Sequence, residues 1–158
     1  MIPVKVREIA YDINMNPVVL LVDDNAEKAL PIWVGHFEAH AIALALQGVQ
    51  LERPLTHDLL KGVFDRLEAK LSMVVINDVQ EGTYYAELHL WHQNRDMVID
   101  SRPSDAIALA LRTETPIYLS DKVAGESLLL QELLNEEQQE ELAKLLKSGQ
   151  AGDKKSLH

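Results

Sequence analysis

Ala41-Ile42-Ala43-Leu44-Ala45-Leu46 returns letter for letter as Ala106-Ile107-Ala108-Leu109-Ala110-Leu111. Ala and Leu are common, so six shared residues carry little weight alone; their surroundings decide the reading. Ahead of the first copy, Val4-Lys5-Val6-Arg7-Glu8-Ile9 alternates apolar and polar side chains. Asp12 to Asn16 has turn chemistry, Pro17 to Val22 is an apolar run, Asp23-Asp24-Asn25 turns again, and Leu30 to Val34 reads as a third strand. Ahead of the second copy come Met73 to Ile76, the turn Gln80-Glu81-Gly82, a strand from Thr83 to Trp91, the turn Gln93 to Asp96, and Met97 to Ile99. Within Thr83 to Trp91, Tyr84, Ala86, Leu88 and Leu90 share one face, while Tyr85, Glu87, His89 and Trp91 share the other. Two meanders running into one hexapeptide predict an internal duplication of a strand–strand–strand–helix unit, its halves related by a pseudo-twofold. Both helices are apolar on every face, so both are expected to be buried on every face.

The remaining elements follow from local signals. The first helix spans Glu38 to Gln47 and is ended by Gly48; a second runs from Thr56 to about Ala69, with Thr56 as N-cap. Ser104 is expected to cap the second apolar helix, and Pro116 to Leu119 gives one more strand. Helical stretches are expected around Ser127–Leu134 and Glu136–Lys147. The expected fold is α+β, a mixed β-sheet with packed helices in one domain over residues 1–147, with a disordered tail over 148–158.

At 158 residues the chain is long enough for a real core. No cysteine is present, which excludes disulfides, thiolate catalysis and Cys-ligated zinc and fits a reducing cytoplasm. The opening MIPVKVREIA has no apolar signal region, and no apolar run is long enough for a membrane span. A formal net charge of −10 disfavours static binding to nucleic acid through its phosphates, yet leaves room for an enzyme that visits a phosphodiester.

Candidate chemistry lies where strands hand over to helices. Asp100-Ser101-Arg102-Pro103-Ser104-Asp105 ends a strand and opens a helix. Free N–H groups there, with Arg102 and Ser104, suit a phosphate, and Asp100 and Asp105 offer hard oxygen ligands to Mg2+ or Mn2+. The plain alternative is an Arg102–Asp salt bridge beside an ordinary cap. Arg53-Pro54-Leu55-Thr56-His57-Asp58 repeats the device outside the duplication offset, and His57 there could move protons near neutral pH. His36 and His40 flank Glu38, but the Glu does not directly follow the first His as a zinc-protease helix requires. His89 and His92 read as solvated strand residues.

The ordered run LPIWVGHFEAHAIALALQG, RPLTHDL, TYYAELHL and IDSRPSDAIALAL resembles the bifunctional nuclease family, over roughly residues 3 to 135. The matching positions are Glu38, Ala39, Arg53, Pro54, Thr56, His57, Asp58, Tyr85, Asp100, Arg102, Pro103, Ser104 and Asp105; His36 and His40 fall outside the pattern. The resemblance implies an α+β fold and the degradation of RNA and DNA described for plant relatives. Two readings follow. In one, Asp100, Asp105, Asp58 and Glu38 hold a divalent cation, Mg2+ or Mn2+. Arg102 and Arg53 steady the phosphoryl group, Ser104 and Thr56 bind substrate, and His57 transfers a proton. In the other, the chain is a non-catalytic regulatory or assembly module whose motif residues hold helix starts in place. A twofold homodimer is expected from Tyr85, Trp91 and the apolar C-terminal positions Leu133, Leu134, Leu142, Leu145 and Leu146.

Overall fold

Asp12 accepts hydrogen bonds from the backbone N–H of Asn14 and Asn16 at 2.8 and 2.9 Å. The turn it closes folds β1 (Ile2–Tyr11) back on β2 (Pro17–Asp23). Asp23 repeats the device by accepting from the N–H of Glu27 at 2.9 Å, leading into β3 (Lys28–Trp33). Helices α1 (His36–Leu46) and α2 (Thr56–Arg66) follow, with Gly48 in the left-handed conformation after α1. The second meander comprises β4 (Lys70–Gln80), β5 (Thr83–His92) and β6 (Arg95–Ser101). Gln93 and Asn94, both at positive φ, form the two-residue β5–β6 turn. Helix α3 (Pro103–Thr113), β7 (Ile117–Leu119), the single turn α4 (Asp121–Ala124) and β8 (Leu128–Leu129) complete the fold. This computed structural model describes residues 1–134. The stretch 136–147, the tail 148–158 and Leu142, Leu145 and Leu146 lie outside the described residues.

One mixed sheet of eight strands carries the architecture, in the order β6-β5-β4-β7-β1-β2-β3-β8. Only β4 and β7 pair in parallel; Ile117 of β7 stands between Val74 of β4 and Val4 of β1. The two meanders therefore flank β7, with β1 and β4 running in opposite directions. This is an α+β fold, as expected. The shared order of elements does not establish a duplication, because the two apolar helices have different fates.

Helix α3 lies against β4 and β5 on one side and α1 and α2 on the other, and its Ala106 to Ala110 are each no more than 2% exposed. Helix α1 packs beside it and against β2. There only Ala39 and Ile42 are buried, and Phe37 is 90% exposed. Burial on every face is thus correct for one copy and wrong for the other, since α3 is covered by two strands and by both α1 and α2. The main core joins α3 to Val19, Leu21, Leu30 and Ile32 from one meander and to Val74, Ile76, Ala86 and Leu88 from the other. A smaller cluster of Val22, Ala29 and Leu130 takes Leu133 and Leu134 against it, so those two leucines pack within the chain. The expected helix at Ser127 begins later, because Leu128 and Leu129 first pair with β3. None of the described helices is long and apolar enough to cross a membrane.

Candidate active site

Two helix starts meet at one place. β6 ends at Ser101, and Arg102 takes the N-cap of α3 in an extended conformation (φ −69, ψ 146), as the residue before a proline favours. Pro103 is the first helical residue, where its missing N–H costs nothing. Ser104 is therefore buried inside the first turn and is not the cap. Helix α2 is likewise capped one residue earlier than expected. Leu55 holds the N-cap, its N–H donates to Oδ2 of Asp58 at 3.0 Å, and Thr56 is already helical. The cap interaction comes from an acid in the first turn, not from a hydroxyl.

Asp105 joins the two starts. Its Oδ2 accepts from Nε of Arg102 at 2.8 Å, and its Oδ1 lies 3.0 Å from Nε2 of His57 on α2. Burial pushes the Asp105 carboxyl up, but the bonds from Arg102 and His57 outweigh it and hold the group below its ordinary value. An ionised carboxylate can only accept, so Nε2 of His57 carries the shared proton and Nδ1 is the free base in the neutral ring. The hydrogen bond it donates to Asp105 in turn raises the Arg102 guanidinium, with a smaller push from Glu38. The His57 side chain is 13% exposed and that of Arg102 65%.

A second staple lies alongside. Asp58 accepts at Oδ1 from Nε of Arg112 at 2.8 Å. Burial raises the Asp58 carboxyl, and the Leu55 N–H and Arg112 more than offset this, leaving it low. Arg112 also donates to the carbonyls of Ala108 at 2.9 Å and Ala41 at 3.0 Å, tying α1, α2 and α3 at one point.

Arg102 and Ser104 border an open cleft of about 380 Å3. Its walls are the end of β3 with the start of α1 (Trp33, Gly35, Glu38), the β4–β5 turn with Tyr84, and the start of α3. The Glu38 side chain folds back over Gly35, where any Cβ would collide with its carboxylate. Of the residues picked from sequence, Glu38, Arg102 and Ser104 thus share the cleft, and His57 and Asp105 join it through Arg102. Asp58 is taken by Arg112. Asp100 is exposed on β6 opposite Glu87, and Arg53 and Thr56 are exposed at the approach to α2. The side chains of Asp100, Arg53 and Thr56 make no hydrogen bond or ion pair among the described residues.

Among the described residues no three His, Asp or Glu side chains converge as a metal would need. With Asp58 and Asp105 each committed to an arginine, this donor set does not fit a resident divalent cation. Sequence reasoning missed Arg112 and Trp33. Arg112 follows the second hexapeptide where Gln47 follows the first, and that single difference was the available signal. Trp33 reads as one more strand residue, yet it is 58% exposed. His89, read as solvated, is largely covered between Glu87 at 3.2 Å and Asp96 at 3.6 Å.

Comparison with known proteins gives a consistent result. The family described as Bifunctional nuclease domain matches residues 18–131. An uncharacterized protein of Mycobacterium tuberculosis is 46% identical over 114 residues, 72% of this chain and 68% of that protein. Bifunctional nuclease 2 of Oryza sativa subsp. japonica is 31% identical over 110 residues, 68% of this chain and 34% of that protein. Bifunctional nuclease 2 of Arabidopsis thaliana is also 31% identical over 110 residues, 33% of its own length. The chain spans about a third of these plant relatives.

Proposed function

Because the chain belongs to the bifunctional nuclease domain family, we propose that it hydrolyses phosphodiesters of RNA or DNA at the joined starts of α2 and α3. One observation carries this reading: a single carboxylate, Asp105, holds both an exposed arginine and a histidine at the edge of a cleft. Asp105 occupies Nε of Arg102 and leaves the terminal nitrogens to grip two phosphoryl oxygens. His57, fixed by Asp105, takes a proton at Nδ1 from the attacking water as its oxygen bonds to phosphorus. The P–O ester bond breaks, and the leaving oxygen takes a proton from solvent. Parallel assays in EDTA and in Mg2+ or Mn2+ decide whether a cation takes part.

A second reading has its own support. His57–Asp105 and Asp58–Arg112 both staple α2 to α3, as a purely structural role would require, and the net charge is −10. Melting and cleavage measured on the same variants separate the two. For a nuclease, His57→Ala and Arg102→Ala each lower cleavage about a hundredfold or more while the fold survives. Melting temperatures that fall in preparations with no activity to lose would leave the structural module standing.

A further inference from the structure

We propose that the cleft beside Arg102 seats one unpaired nucleobase, stacked on the indole of Trp33, so that the substrate is a single strand. This rests on the nuclease reading for what happens next, but the seat is argued from its own geometry. Trp33 is 58% exposed at the end of β3, and a side chain of that size covers no core from there. Its Nε1–H donates to Oδ2 of Asp12 at 2.9 Å, so the ring is anchored across the sheet end and not free to fold away. The same carboxylate group closes the β1–β2 turn, which makes the anchor part of a rigid element. An exposed indole fixed in this way is preorganised to receive a flat partner.

The rest of the cleft suits the same guest. Ile32, Val34, Tyr84 and Pro103 give it apolar walls, and Arg102 places a cation at its border. A volume of about 380 Å3 lies in the range of small-molecule sites and takes one nucleotide, not a duplex. Charge argues the same way. A protein of net charge −10 cannot gain much affinity by tracking a phosphate backbone, so base stacking must supply it, with Arg102 orienting one phosphate. A base paired inside a helix has no free face to offer.

The test uses the full chain carrying Trp91→Phe, which leaves Trp33 as the one indole emitter of the two in the sequence. Single-stranded RNA and DNA octamers, the matching duplex, and inorganic phosphate are titrated against its fluorescence. Saturable quenching by either octamer, with little from duplex or phosphate, supports the seat, and the two octamers show which sugar is preferred. In the otherwise unaltered chain, Trp33→Ala weakens octamer binding about tenfold or more, and Trp33→Phe recovers most of it. Cleavage by Trp33→Ala shows the loss in KM more than in kcat. Quenching by phosphate alone to the same extent overturns the proposal, as does octamer binding indifferent to Trp33→Ala. Quenching without cleavage of any strand leaves the seat in place and removes the nuclease reading.

Discussion

Arg102 and Arg112 stand at opposite ends of α3 and do opposite things. Arg112 has only 8% of its side chain exposed and satisfies Asp58 together with two helix carbonyls. Arg112→Ala removes all three bonds and leaves the Asp58 carboxylate without its cation, and should cost about 2–4 kcal/mol in urea unfolding. Lys does not restore it, because an ammonium cannot reproduce the planar fork. Arg102→Ala should cost less than about 1 kcal/mol, since that pair is largely solvated. Acid tests the carboxylates. Asp58 and Asp105 are both held below their ordinary value, so the unfolded chain binds their protons first as pH falls. Their contribution is complete above about pH 4 and is lost below it, and Asp58→Asn with Asp105→Asn should flatten unfolding measured over that window. The sequence set these acids beside helix starts, and it placed Arg102 and Asp105 together. It could not show that His57 would reach Asp105, or that Arg112 points inward, because both depend on how helices cross.

The same six letters are covered on nearly every face in α3 and on one face in α1. A packing experiment should read that difference directly. Leu109→Ala in α3 opens a cavity and should cost about 2–5 kcal/mol, whereas Leu44→Ala in half-exposed α1 should cost about 1 kcal/mol. Equal losses would contradict that difference in burial. Strands were easier to read than burial. β5 declares its faces by alternation, with Ala86, Leu88 and Leu90 all buried, and the turns at Asp12, Asp23 and Gln93 announce their hairpins. The elements that escaped notice are short: α4 spans one turn from Ser120, and β8 two residues, too little sequence for any period to show. The helix starts were misplaced for a similar reason, since Ser104 and Thr56 look like caps and the prolines nearby shift the count.

At the scale of the whole molecule, β6 is an edge strand exposed along nearly its whole length, with Met97, Val98 and Ile99 between 38% and 53% accessible. Trp91 and Tyr85 of β5 remain partly open beside it. A second copy of the chain covering this edge is the expected assembly; light scattering at micromolar concentration should return a dimer mass, and a charge at Val98 should reduce it to a monomer. Within the sheet the two meanders are joined through three residues, Ile117 to Leu119, and these are made after both meanders are complete. On the ribosome, then, β1 and β4 emerge as open edges and wait for a strand that has not yet been translated. Ile2 must find Leu119 across almost the whole described chain, a long search that slows closure relative to the local hairpins. Nascent chains stalled before Ile117 should therefore be the species that holds chaperones longest, while those released after Ser120 should not.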